Sequence, residues 1–148
     1  MIQHIVKILS ICFFHLRRLR NLRLVIDPSS MQRLISTFIM SRLDYCNAVL
    51  AGLSACTVAP LQRILNAAAR LMVGPTAGNR ISDVMRSLHW LPIEYRIRYK
   101  LCLLMHAVHN GTSPAYIVDI TTAISSLHGH CMIRSAGTNQ YEIPRTRY

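Results

Sequence analysis

The sequence predicts a small all-α bundle of about five to six helices, followed by an irregular, poorly ordered C-terminal tail. Apolar residues recur at three- and four-residue steps through most of the first 121 positions. Capping residues, glycine and proline punctuate those stretches. From Thr122 the periodicity fades into Ser125-Ser126, Gly129, Gly137 and the polar run Thr138-Asn139-Gln140, with at most a short extended piece at Tyr141 to Pro144. The expected division is therefore a helical domain over 1–121 and a flexible tail over 122–148.

The first helix runs from Ile2 to about Leu24. Ile5, Ile8, Leu9, Cys12, Leu16 and Leu19 share one face, while Lys7, Arg17, Arg18, Arg20 and Arg23 crowd the remainder, and no acidic residue precedes Asp27. Its uncharged core, Ile8 to Phe14, falls far short of the roughly 20 apolar residues a membrane span needs, and no cleavage site follows, so neither a span nor a signal peptide is expected. Asp27-Pro28-Ser29-Ser30 then supplies N-cap candidates. Met31, Leu34, Ile35, Phe38, Ile39, Tyr45, Cys46 and Val49 keep helical spacing, which predicts one long helix to about Ala51, bent near Ser41. Arg42 falls on its apolar side and must reach the edge or find a partner.

Gly52 to Thr57 reads as a loop into the central helix, which runs from about Val58 to Gly74. Leu61, Ile64, Leu65, Ala68, Leu71 and Met72 form its stripe, with Gln62, Arg63, Asn66 and Arg70 opposite. Pro60 suits a first turn and Gly74-Pro75 a C-terminal stop, while Ala67-Ala68-Ala69 keeps the helix thin enough for close approach by a neighbour. Pro75 to Arg80 is loop. Ser82 is expected to cap a short helix to Leu88, with Asp83 favouring its positive end, and Trp90 reads as a packing anchor at the corner beyond. Pro92 opens a helix to Asn110-Gly111 with the stripe Ile93, Ile97, Leu101, Leu104, Met105 and Val108. Glu94 and Arg98 are spaced for an i,i+4 pair, and Arg96 and Lys100 extend the positive surface. Pro114 to about Thr121 is one more short helix.

The chain has 148 residues, 51% of them hydrophobic, with 17 basic residues against 6 acidic for a net charge of +11. That size permits one modest core and excludes wholesale disorder, and the charge favours a polyanion, nucleic acid or an anionic membrane surface. Five cysteines, Cys12, Cys46, Cys56, Cys102 and Cys131, lack the spacing of a zinc or redox motif, which argues against a disulfide framework and for a reducing cytoplasmic or nuclear setting rather than secretion.

Four ordered motifs carry a family resemblance. Ser41-Arg42-Leu43-Asp44-Tyr45-Cys46-Asn47 is followed by Leu61-Gln62 and Asn66-Ala67-Ala68-Ala69-Arg70-Leu71, then Leu88-His89-Trp90-Leu91-Pro92, then a helix closing on Asn110-Gly111 with Pro114 and Tyr116 beyond. This resembles the C-terminal region of non-LTR (LINE, jockey-like) retrotransposon reverse transcriptases, with Leu65 where that family often has Gln. The resemblance extends weakly from Cys12 to Arg147 and covers what would be the thumb, after the polymerase palm. It implies structural roles for Arg42, Tyr45, Asn66, Ala68, His89, Trp90 and Pro92, and a parent enzyme whose missing palm would be a partner.

The chemistry of polymerisation is not written here. Two-metal catalysis needs paired carboxylates, and Asp27, Asp44, Asp83, Glu94, Asp119 and Glu142 are scattered. Asp44-Tyr45 lacks the second aspartate of the polymerase signature. His128, His130 and Cys131 are a local metal-capable cluster without a second ligand pair, so no metal and no cofactor is expected. What remains is a basic helical surface. Arg17, Arg18, Arg20, Arg63, Arg70, Arg96 and Lys100 are the candidate contacts to an RNA or DNA backbone, read by shape and charge rather than by base. The expectation is a non-catalytic fragment of a LINE-type RNA-directed DNA polymerase with non-specific nucleic-acid binding. The alternatives are a domesticated helical protein–protein interaction module that self-associates through exposed apolar faces, and a peripheral membrane binder led by the basic first helix.

Overall fold

A computed structural model describes residues 2–74, 80–121 and 141, and over these the protein is all-α. The helices are α1 (Ile2–Leu22), α2 (Pro28–Ile35), α3 (Ser41–Asp44), α4 (Ala55–Val73), α5 (Ile81–Ser87), α6 (Ile93–His109) and α7 (Ala115–Asp119). A π-helical turn, Ser36–Met40, joins α2 to α3, and a 3₁₀ turn, Asn47–Leu50, follows α3. Of the expected tail only Tyr141 is described; His128, His130, Cys131 and the loop residues 75–79 lie outside the described residues. The chain divides into two compact units, Met1–Lys100 and Leu101–Tyr148.

The first unit is built on α1 against α4. α1 buries Ile5, Ile8, Cys12, Leu16 and Leu19, the face its periodicity predicts, with Leu9 at its margin. α4 contributes Leu61, Ile64, Leu65, Ala68, Ala69 and Leu71. Leu61, Ile64 and Leu65 are essentially inaccessible, and burying each contributes about 1.5–3 kcal/mol. Ala68 and Ala69 are fully enclosed, as a thin helix middle approached by a neighbour requires. α2, α3 and the π turn close over α1 and α5 packs on α4, placing Val84 and Met85 in the same core as Ile93 and Ile97 from the start of α6.

The long helix expected from Met31 to Ala51 is interrupted twice. In the π turn the Ser41 N–H reaches the Ser36 carbonyl, five residues back rather than four. One extra residue is thereby inserted, and every later side chain rotates by about 100°. Ile39 is buried as expected, but Tyr45, Cys46 and Val49, also expected inside, are exposed and Phe38 lies at the margin, while Met40, Leu43, Asn47 and Leu50 take the inward positions. Tyr45 is 68% exposed, and Arg42 needs no burial because Leu43 has taken the inward position. At Cys46 the backbone turns left-handed, φ 54°, and α3 cannot continue.

Two helix starts, those of α4 and α5, also differ from expectation. Ser54, in extended conformation, precedes an α4 that begins at Ala55, its hydroxyl 2.8 Å from Thr57 Oγ1. Pro60 therefore sits in the second turn and deprives the Cys56 carbonyl of its helical donor, at a place exposed to solvent. Arg80, not Ser82, occupies the extended position before α5, with the Val84 N–H bonded to its carbonyl. α6 begins at Ile93, and the Pro92 carbonyl accepts the Arg96 N–H. Asp27 does cap α2 as expected, accepting the Ser30 N–H at 2.9 Å, with Pro28 next in line.

In the second unit α6 ends as its Asn110-Gly111 sequence predicts. Gly111, φ 67°, donates to the Val108 carbonyl and Thr112 to that of Ala107, a paired closure that requires a left-handed residue. Leu104, Met105 and Val108 are half-buried and Leu101 is exposed, so this part of the expected stripe is only partly covered.

Candidate nucleic-acid interface

Arg23 organises the basic residues. Its guanidinium packs so closely on Gly74 that a Cβ there would lie 2.0 Å from Nη2. Since Arg23 follows α1 and Gly74 closes α4, the C-terminal ends of these two helices lie side by side. Arg20 is in the last turn of α1 and Arg70 in the last turn of α4. The structure therefore gathers Arg20, Arg23 and Arg70 at one end of the unit, where the helix dipoles add a local negative field that the arginines offset.

Arg17 and Arg63 extend this cluster along its helices. Arg63 precedes Arg70 by seven residues, two turns, so both project from one side of α4 about 10 Å apart along the axis, roughly three nucleotide steps of duplex rise. Both are exposed. Arg17 is exposed and loosely tethered through Nε to the Phe13 carbonyl at 3.4 Å. Arg18 lies on another flank of α1, its guanidinium 5.5 Å from the Phe14 ring centre.

The α6 candidates are placed differently. Arg96 Nη1 donates to both carboxylate oxygens of Asp44, at 2.7 and 2.9 Å, and its Nε donates to the Leu91 carbonyl at 2.9 Å. Its side chain is only 17% exposed, so its donors are committed inside the protein. Lys100 is exposed on α6, a helix whose first residue is tied to Gln62 of α4, more than two turns before Arg70.

The residues singled out by the family resemblance take structural positions that differ from one another, and of them only Asn66 joins a polar junction. Gln62 Oε1 accepts the Ile93 N–H at 2.9 Å, capping α6, while its Nε2 donates to Asn66 Oδ1 at 2.8 Å. Asn47 Nδ2 is 3.5 Å from Asp44 Oδ1, and the Asn47 amide is buried. Ala68 is enclosed in the core, and Trp90 packs against that core while its N–H bonds the Met85 carbonyl at 2.8 Å. His89 adopts φ 55°, and its N–H bonds the Arg86 carbonyl. Together these two bonds end α5 in the manner usual for glycine-terminated helices, with histidine in the glycine position. Arg42 is exposed beside His15 and Cys12, and Pro92 is half-buried at the mouth of α6. Gln62 was expected on a solvated face; only the tertiary pairing with Ile93 shows its use.

Four of the carboxylates serve structure. Asp27 caps α2, Asp44 holds Arg96, Asp83 lies 3.7 Å from Arg86, and Glu94 pairs with Arg98 at 2.6 Å. Among the described residues no group of three His, Cys, Asp or Glu side chains is placed to hold a metal ion. Burial pushes the Cys12 thiol up, whereas Cys56 is exposed and pulled down by hydrogen bonds from Ser54 and then Thr57. Compared with known proteins, the chain matches no family model, no curated protein and no solved structure.

Proposed function

We propose that the chain is a thumb-like fragment of a LINE-type RNA-directed DNA polymerase, without catalytic activity of its own, that retains non-specific affinity for a nucleic-acid backbone. The observation that carries the binding half is that Arg20, Arg23 and Arg70 all lie at the paired ends of α1 and α4, with Arg17 and Arg63 farther back along the same helices. No carboxylate among the described residues pairs with any of them. The polymerase half rests on the ordered motifs, several of whose residues, Asp44, Asn47, Gln62 and Asn66, hold neighbouring elements together by hydrogen bonds.

Four exposed arginines, Arg17, Arg20, Arg63 and Arg70, would displace about four counterions from a duplex. The expected slope of log K against log salt is then about −3 to −4, independent of sequence. A slope near zero removes this reading. In that case the alternative, a helical interaction module, gains from the partly covered stripe Leu101, Leu104, Met105 and Val108, and concentration-dependent dimerisation would be its signature.

A further inference from the structure

We propose that the outer edge of α1, together with the turn that follows it, is a docking surface for an anionic lipid bilayer, with Leu24 and Val25 inserting at the interface. This goes beyond the nucleic-acid reading: it shares Arg17 and Arg20 with that reading but turns on Leu24 and Val25, which no phosphate backbone needs. Leu24 is 94% exposed and Val25 84%. The turn presenting them is fixed, since the Val25 and Ile26 N–H groups both bond the Leu22 carbonyl at 3.0 Å and Asp27 caps the next helix immediately after. Two branched aliphatic side chains are thus held out into solvent by an ordered backbone.

The helix leading into that turn carries a second stripe besides its buried one. Ile2, Val6 and Phe13, exposed by 71%, 56% and 40%, follow one another at steps of four and seven residues, one and two helical turns, and lead into Arg17 and Arg20 on the same side. Behind the turn lies an open groove of about 550 Å³ whose lining includes Val25, Ile26, Leu34 and Phe38, with Arg33 and Asp27 offsetting each other in charge. Apolar side chains, arginines and the absence of any acid before Asp27 describe a helix suited to lie in the plane of a charged interface.

Charge and shape together select the occupant. A phosphate backbone meets the arginines but offers nothing to two protruding aliphatic tips. A protein partner would need an acidic face and a socket matched to the turn. An anionic bilayer supplies negative headgroups and an apolar interior without shape matching. No helix among the described residues is long and apolar enough to cross a membrane, so the attachment is interfacial.

Co-sedimentation of the full chain with vesicles tests this. Vesicles of phosphatidylcholine with about a third phosphatidylserine should bind roughly 25-fold more tightly than pure phosphatidylcholine, at about fivefold for each of Arg17 and Arg20. The double variant Leu24→Asp, Val25→Asp should weaken that binding about tenfold or more. It should keep the parent circular dichroism, since neither side chain packs inside, and the parent affinity for duplex DNA. Equal binding to both vesicle types overturns the proposal, as does a double variant that binds phosphatidylserine vesicles like the parent. Parallel loss on vesicles and duplex would also overturn it, by making the turn part of a general adhesive surface.

Discussion

Arg96 reaches back across 52 residues to Asp44 and holds both oxygens of its carboxylate from a single guanidinium nitrogen, at 2.7 and 2.9 Å. With its Nε on the Leu91 carbonyl, the same side chain ties the end of α3 to the start of α6. A cation that the sequence offers to a ligand is thereby a strut. Arg96→Gln should destabilise the fold by about 1–2 kcal/mol, between the cost for an exposed pair and a buried one. In a double-mutant cycle with Asp44→Asn most of that cost should disappear from the second substitution. By contrast, Arg63→Gln with Arg70→Gln should leave stability unchanged and make the salt slope on duplex DNA shallower by about 2 units.

Gln62 supplies a second strut. Its carbonyl oxygen satisfies the Ile93 N–H, which α6 itself cannot pair because it lies in the helix's first turn. Gln62→Leu should cost about 1–2 kcal/mol by leaving that donor buried without a partner. Amide exchange at Ile93 should accelerate out of proportion to the global change, whereas Gln62→Glu, which keeps the acceptor, should preserve protection there.

Left-handed positions make opposite predictions for histidine and glycine. His89 stands at φ 55° in the closure of α5, so His89→Gly should raise stability by up to about 1 kcal/mol and His89→Val should lower it. Gly74, at φ 95° and under the Arg23 guanidinium, has the reverse sign. Gly74→Ala should cost about 1–2 kcal/mol and displace Arg23. Thermal melts of the three variants check both signs.

Acid should weaken the fold in two stages. The His15 imidazole is stacked on Phe38 with ring centres 4.9 Å apart, and burial, then Arg42, then Arg18 hold its pKa below 6.5. The unfolded chain therefore binds more protons there. Stability is full above 6.5 and declines as pH falls through the window between 6.5 and the lowered folded value. Asp27 acts further down: hydrogen bonds from Ser29 and then Ser30 depress its pKa far below 3.8, so the stability it provides is present above 3.8 and is lost as pH falls from there toward the depressed value. Urea midpoints across pH should show both declines. His15→Gln should remove the upper one and Asp27→Asn the lower.

The amino-acid sequence by itself determined the helices and most of their inward faces. Ile5 to Leu19 on α1, Leu61 to Leu71 on α4 and the Asp27 and Gly111 caps follow from spacing and local hydrogen bonding, which act over one to three turns and are complete within the segment that displays them. The register after Ser36 was not legible. The choice between four- and five-residue bonding is nearly balanced locally, and the burial of Leu43, Asn47 and Leu50 against the rest of the core tips it. Nor did charge alone distinguish Arg96 from Arg70, because an arginine reads the same whether a carboxylate 52 residues away meets it or solvent does. Tertiary packing decided that by setting α3 beside α6, and by laying the ends of α1 and α4 together it made a surface from Arg20, Arg23 and Arg70, which no periodicity within one helix could join.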